Sequence, residues 1–270
     1  MQKLYYLLLL ALLFCLGCQW QMKPSEEEKL LDGISVERFD RVESGYLTMA
    51  DIAALHQMKT DYPTETRTLI EDVLQLGPAN DPEINSRLLV FFQDSTLQKL
   101  VADVEKQYAD MDDVNWQLTQ AFRRLRQLMP DIEIPQVYAQ IGSLDQSIVV
   151  AGDRLGISLD KYLGSDYPIY LRYGYTEQQR KMMKREYIVP DCVGFYLLSL
   201  FPMPDEEGLP TRDLGHWHIS KIQWVVNQAM NRHVFSSDTI SRLDKFKRAN
   251  PRLSVTELMR LTPDALAEVQ

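Results

Sequence analysis

The residues around Cys18 indicate lipid-attachment chemistry. Leu16-Gly17-Cys18 closes an apolar run that begins at Leu4, and Lys3 places a positive charge before that run. A run of this length is typical of an export signal and is too short to span a bilayer as a helix. Lipoprotein signal peptidase accepts a small residue directly before a cysteine. We therefore expect residues 1–17 to be a lipoprotein signal peptide and Cys18 to carry the lipid.

The pattern departs from the usual lipobox at one position. Cys15 stands three residues before Cys18, where leucine is usual, so a plain secretory signal and an uncleaved anchor helix remain as alternatives. The polar residues 18–33 suit a tether between a membrane and a folded domain. Gln19-Trp20-Gln21 precedes the acidic run at 26–28, and this order does not support surface display. We expect a cell-envelope protein that is lipid-anchored to a membrane, on the periplasmic side rather than the surface.

Composition limits the partners. The formal net charge of −9 argues against nucleic acid and against electrostatic binding to anionic lipid, so membrane association is assigned to the lipid anchor. Envelope proteins are the expected partners. Only Cys192 remains if Cys15 leaves with the signal and Cys18 is acylated, which excludes an intramolecular disulfide. Its apolar surroundings in the sequence predict a buried small side chain.

The chain offers few residues for catalysis. The four histidines form no HExxH pattern, which zincin-type hydrolases need to hold zinc on one helix face. His216 and His218 are weak metal candidates, and the alternative is a solvent-facing pair at a helix start or in a loop. The chain also lacks GxSxG, GxGxxG, phosphate-loop and CxxC motifs. We therefore expect no cofactor and assign no catalytic residue.

Possible cleft residues lie further along the chain. Asp191 follows Pro190 in an apolar segment, where a carboxylate either caps the second half of a broken helix or lines a cleft. Asp160, Tyr162 and Tyr170 belong to a Tyr-rich loop. Such a loop either lines a ligand groove or packs its rings over a sheet.

Hydrophobic periodicity and stop signals predict an α+β fold that is mostly helical. Helices are predicted at 48–60, 64–76, from Pro82, at 95–109 and at 113–129, and later at 216–231, 236–250, 254–260 and from Thr262. A small antiparallel sheet is predicted around residues 134–158, because no helix separates its strands. A core helix is predicted around 177–200, with a kink or break near Val189 caused by Pro190. Residues 34–270 are expected to form a single domain.

The chain resembles GldB, the gliding-motility lipoprotein of the Bacteroidetes. The features that carry the resemblance are the lipoprotein signal, Val36-Glu37-Arg38-Phe39-Asp40 and a middle block. That block contains Ile134-Pro135-Gln136-Val137-Tyr138, then Ile148-Val149-Val150, and most specifically Ile157-Ser158-Leu159-Asp160-Lys161-Tyr162-Leu163-Gly164. The similarity spans roughly residues 30–235 and is strongest over 130–200.

This resemblance implies a fold related in outline to zincin-type metallopeptidases. In active relatives the core helix carries the metal motif, and here that position is the segment from Tyr187 to Leu200. It contains Pro190, Asp191 and Gly194 but no histidine, which implies a non-catalytic scaffold. The expected function is a non-enzymatic role in gliding, secretion-type or envelope-assembly machinery. The alternative is an atypical hydrolase acting on envelope peptides or glycans beside Asp191, and a small-ligand binding lipoprotein is a weaker third option.

Overall fold

A computed structural model of the chain describes residues 33–203 and 211–261. The predicted signal peptide, Cys18, most of the tether and the helix from Thr262 lie outside these residues. The described residues confirm the α+β class with mostly helical content.

Between residue 33 and the sheet the structure has six α-helices. They are α1 Phe39–Met49, α2 Ile52–Thr60, α3 Pro63–Thr68, α4 Ile84–Phe91, α5 Ser95–Gln107 and α6 Asp112–Leu128. A π-helical turn, Leu69–Val73, continues α3. Pro63 begins α3 and Asp94 caps α5 by accepting from the backbone N–H groups of Thr96 and Leu97, as expected for helix starts. The sequence does not predict α1.

The sheet is mixed, which corrects the antiparallel prediction. Strands β1 Gln136–Gln140, β2 Ile148–Ala151 and β3 Arg154–Ser158 lie in the order β1-β3-β2. β2 and β3 form an antiparallel hairpin that turns at Gly152, whereas β1 pairs with β3 in parallel. No crossover helix is needed because β2 itself makes the connection between the two parallel strands. The rule that parallel neighbours need a helix therefore gives the wrong prediction here.

A close approach of backbone and ring fixes β1 on β3. Tyr138 is the register partner of Gly156, and a Cβ atom on Gly156 would meet Tyr138 Cζ at 2.5 Å. Tyr138 also packs its ring against Phe39 of α1. Glycine is thus required at position 156 by packing, and the same tyrosine joins the sheet to the first helix.

The predicted core helix is divided. It consists of α8 Glu177–Met182, a 3-10 turn Arg185–Tyr187 and α9 Ile188–Leu200. The break precedes the predicted position near Val189, and Pro190 lies in the first turn of α9. Proline is tolerated there because the first backbone N–H groups of a helix have no partner within the helix.

The remaining elements surround α9. They are a 3-10 turn Leu159–Tyr162, α7 Pro168–Arg172, α10 Thr211–Met230, α11 Asp238–Ala249 and α12 Val255–Arg260. α9 packs on β2, β3, α6 and α10, and α10 in turn contacts α6, α11 and α12. Among the described residues we find no helix with both the length and the apolar character needed to cross a membrane.

Candidate functional site

The site centres on Asp160, whose carboxylate holds the connection between β1 and β2. Its Oδ1 accepts from the Gly142 N–H at 2.7 Å and its Oδ2 from the Leu144 N–H at 2.5 Å. Asp160 is fully buried, and burial raises its pKa although these backbone donors lower it. The Asp160 side chain therefore fixes the β1–β2 connection from the turn that follows β3.

Two tyrosines fix the 3-10 turn that carries Asp160. Tyr170 donates to the Asp160 carbonyl at 2.5 Å and accepts from the Leu163 N–H at 2.9 Å. Tyr108, the residue that follows α5, donates to the Tyr162 carbonyl at 2.6 Å. The rings of Tyr108, Tyr162 and Tyr170 are buried, and their hydroxyls are bonded to protein groups. Tyr108 and Tyr170 thus bind this turn to the end of α5 and to α7.

Tyr162 and Asp191 join the turn to α9. The Tyr162 hydroxyl donates to Asp191 Oδ2 at 2.8 Å, across 29 residues of sequence. Burial raises the pKa of Asp191 to about 7, and the Tyr162 hydrogen bond partly offsets this rise. Asp191 remains partly accessible to solvent, whereas Tyr162 is buried.

The capping alternative for Asp191 is wrong. Tyr187 is the N-cap residue of α9, and no side chain caps that terminus. Asp191 lies at the fourth helical position and accepts from a neighbouring element instead. The structure thus brings Asp160, Tyr162, Tyr170 and Asp191 together, and their role as ligand-contacting cleft residues stays a prediction.

Two buried polar residues beside this cluster are not predicted from the sequence. Glu43 of α1 accepts from the Ile141 N–H through Oε2 at 2.9 Å, but Oε1 has no hydrogen-bond partner among the described residues. Gln140 donates to Ser158 Oγ at 3.2 Å, and its Oε1 likewise has no partner in the described part of the chain. Burial, more than its neighbours Asp160 and Asp40, raises the pKa of Glu43 well above the usual value.

Two further buried carboxylates are paired with arginine. Arg38 holds Asp40 through two hydrogen bonds of 2.8 and 2.7 Å. Arg154 of β3 donates to Glu65 Oε1 at 2.6 Å, which links α3 to the sheet. These pairs neutralise charges that would be costly to bury alone.

The two histidines of α10 lie in different surroundings. His218 is buried and its Nε2 lies 2.8 Å from the Phe201 carbonyl, whereas His216 is exposed near Thr239. The alternative of a solvent-facing pair is therefore wrong for His218. The described residues contain no group of three histidine, cysteine, aspartate or glutamate side chains arranged to hold a metal. Cys192 is fully buried, as predicted.

Comparison with protein families decides the family. The model of gliding motility protein GldB matches residues 19–212, which is most of the chain. The chain belongs to the GldB family. Comparison with curated proteins and with solved structures gave no match. The family match covers the sheet, the tyrosine cluster and α9 of this GldB-family chain, and it ends at the start of α10.

Within this cluster, Asp191 is the residue suited to proton transfer. Asp191 has a pKa near neutrality and one hydroxyl partner, which are properties that a proton-transferring carboxyl needs. Asp160 and Tyr170 instead act on backbone groups and fix a loop. The site therefore contains one carboxyl with access to solvent among several that stabilise the fold.

Proposed function

We propose that this GldB-family chain is a lipid-anchored envelope protein, without catalytic activity, that supports gliding or related envelope machinery. The observation that carries the proposal is the family match over residues 19–212. That match begins directly after Cys18, the residue to which the sequence assigns the lipid. The protein would lie on the periplasmic side of a membrane and contact envelope proteins.

A non-catalytic role is supported by how the buried polar groups are used. Asp160 accepts from two backbone N–H groups, and Asp40 and Glu65 pair with arginines. His216 and His218 lie apart, and the His218 ring is engaged by the Phe201 carbonyl. These side chains serve the fold, and this use favours a scaffold or binding protein.

Replacing Cys18 tests the anchor. The variant Cys18→Ala, expressed in a gliding bacterium, should lose metabolic labelling by an alkyne fatty acid and should leave the membrane fraction. Cys15→Leu is the matched control because it restores the usual lipobox residue and keeps Cys18. Full labelling of Cys18→Ala would contradict the anchor assignment.

Motility assays test the role itself. Deletion of the gene should stop or slow gliding, and expression of the Cys15→Leu chain should restore it while Cys18→Ala should not. Purified protein should contain no stoichiometric zinc and should not cleave peptides. Stoichiometric zinc together with peptide turnover would contradict the non-catalytic role.

A hydrolase acting on envelope peptides or glycans is the second candidate, and Asp191 favours it. Its pKa of about 7 and its partial access suit a general acid or base. If this candidate is correct, Asp191→Asn should abolish turnover of a peptidoglycan-fragment library without lowering the melting temperature. Motility that survives Asp191→Asn unchanged would exclude it as the gliding function.

A further inference from the structure

A groove lies between α6 and the end of α10, away from the tyrosine cluster. It has a volume of about 450 Å³. We call it the Trp116 groove, and its lining residues are Asp113, Trp116, Gln117, Gln120, Arg124, Met230 and Arg232. Trp116 is 64% exposed, which is unusual for a large aromatic side chain. The groove thus brings an exposed indole together with two arginine side chains.

The Trp116 groove is cationic although the chain as a whole is acidic. The Arg124 guanidinium donates to the Ala229 carbonyl, and that of Arg232 donates to the Glu186 carbonyl. Within the described ranges neither arginine forms an ion pair with a carboxylate. Asp113 is the one carboxylate among these lining residues, and it accepts two hydrogen bonds from Arg185. Two positive charges therefore remain available at the groove.

The start of the described chain is held on α6, the helix that also carries Trp116. The Ile34 N–H donates to Thr119 Oγ1 at 2.8 Å, and the Val36 N–H donates to Asn115 Oδ1 at 3.0 Å. Both acceptors lie on α6, on either side of Trp116 in sequence. A flexible tether of the predicted length has a typical end-to-end distance of roughly 20 Å. A lipid at Cys18 would therefore keep α6 within reach of the membrane surface.

We propose that the Trp116 groove docks on anionic phospholipid headgroups of the membrane that carries the lipid anchor. The proposal rests on the anchor proposed above. Guanidinium groups bind phosphate oxygens through paired hydrogen bonds, and an indole is favoured at the boundary between headgroups and acyl chains. Because the chain as a whole carries a net negative charge that an anionic membrane repels, the groove would also orient the domain.

Depth-dependent fluorescence quenching tests the proposal in the lipidated protein. The full chain is produced with Trp20→Phe, which removes the tryptophan next to the anchor, and is reconstituted into vesicles of brominated phosphatidylglycerol. Trp217 and Trp224 are buried, so quenching that disappears with Trp116→Phe reports on the groove. We expect strong Trp116 quenching, and Arg124→Gln with Arg232→Gln should lower the ratio of docked to undocked protein roughly thirtyfold.

Controls separate the possible outcomes. Arg242→Gln with Arg252→Gln removes two exposed charges elsewhere and should leave quenching unchanged. Equal quenching by brominated phosphatidylcholine would overturn recognition of anionic lipid. Loss of the quenching when polyglutamate is added would also overturn it and would point to an acidic protein partner. Vesicles that float with the protein while Trp116 stays unquenched would refute the groove alone. Protein that does not float with vesicles at all would refute the anchor.

Discussion

At the scale of single residues, the buried carboxyl of Asp191 should make the stability of the protein depend on pH. Its pKa of about 7 in the folded chain lies well above the usual aspartate value of about 3.9. Between these values the folded state retains a proton that the unfolded state releases. The contribution of protonated Asp191 to the free energy of unfolding is therefore fully present below pH 4. It falls as pH rises, by up to about 1.4 kcal/mol per pH unit, until pH 7.

Asp191→Asn should remove this part of the pH dependence. The amide oxygen can still accept from Tyr162 while carrying no charge, so the variant should gain stability relative to wild type from pH 4 to pH 7. Urea denaturation at each pH measures the difference. Tyr162→Phe serves as the control. It removes the hydrogen bond that lowers the pKa of Asp191, so the pH range over which stability falls should extend to higher pH. Parallel pH profiles for wild type and Asp191→Asn would contradict the burial argument.

Glu43 provides a second test, in which stability should again fall as pH rises. Burial raises its pKa well above the usual value, so its contribution to stability is lost as pH rises above about 4.5. Glu43→Gln keeps an acceptor for the Ile141 N–H and removes the ionisable group. We expect it to stabilise the protein by about 1–3 kcal/mol at pH 8 and to have little effect at pH 4.

Glu43→Ala separates the hydrogen bond from the charge. It leaves the buried Ile141 N–H without an acceptor and opens a cavity, so it should destabilise the protein by about 2–4 kcal/mol. Glu83→Gln alters an exposed carboxylate and should stay within about 0.5 kcal/mol of wild type. A destabilising Glu43→Gln would indicate that the carboxylate is needed in its charged form.

At the scale of elements, Gly156 and Gly194 form a matched pair. A methyl group at Gly156 would meet the Tyr138 ring at 2.5 Å, whereas at Gly194 of α9 its nearest neighbour would be Val226 at an ordinary 3.7 Å. Gly156→Ala should therefore cost about 1–3 kcal/mol by overpacking. Gly194→Ala should be neutral or stabilise by up to about 1 kcal/mol, because alanine favours a helix.

A double variant shows whether the ring is the cause. If the ring is the cause, Gly156→Ala should destabilise the Tyr138→Leu chain less than it destabilises the wild-type chain. A double-mutant cycle of denaturation midpoints measures this difference. Additive losses would mean that the strand backbone, and not the tyrosine ring, excludes a side chain at position 156.

Local signals predict most of the helices, and α1 shows where they fail. Capping boxes form at Thr176–Gln179 and Ser254–Glu257, and such caps depend only on residues close in sequence. α1 has no capping side chain at Arg38 and buries Asp40, Glu43 and Ser44. Because polar residues occupy buried positions, the sequence of α1 does not show the hydrophobic periodicity of a helix. Glu43 is not predicted as a buried residue for the same reason.

Long-range contacts explain what else the sequence leaves open. Tyr162 and Asp191 are both candidates in the sequence, but their hydrogen bond depends on how the turn after β3 packs against α9. Strand order likewise depends on which edge of the hairpin receives β1, and the loop that decides this is held by Asp160 and Glu43. Tertiary hydrogen bonds of this kind have no local sequence pattern.

Charge at the scale of the whole molecule differs from charge at one surface. The net charge of −9 excludes a generally basic protein, yet Arg124 and Arg232 lie together without carboxylate partners in the described part of the chain. Net charge therefore predicts the average surface and not the Trp116 groove. The proposed lipid anchor and the proposed headgroup site in the groove would act together, since an anchor raises the local concentration of a weak site.

The extent of the folded unit can be tested against the family match, which ends at residue 212. Later residues complete the core: α10 packs on α6 and α9, and its Val225 and Val226 are fully buried. The buried Lys221 ammonium donates to the Met259 and Leu261 carbonyls, and the Trp217 indole N–H also donates to the Leu261 carbonyl.

A chain that stops after residue 212 should therefore aggregate or lose cooperative unfolding, because α6 and α9 would expose the apolar surface that α10 covers. A chain that stops after Leu261 keeps both carbonyl acceptors and should unfold cooperatively, near the midpoint of the full chain. Circular dichroism during urea denaturation compares the two truncations. Cooperative unfolding of the shorter chain would mean that the family-matched segment folds alone and that α10–α12 form an addition to it.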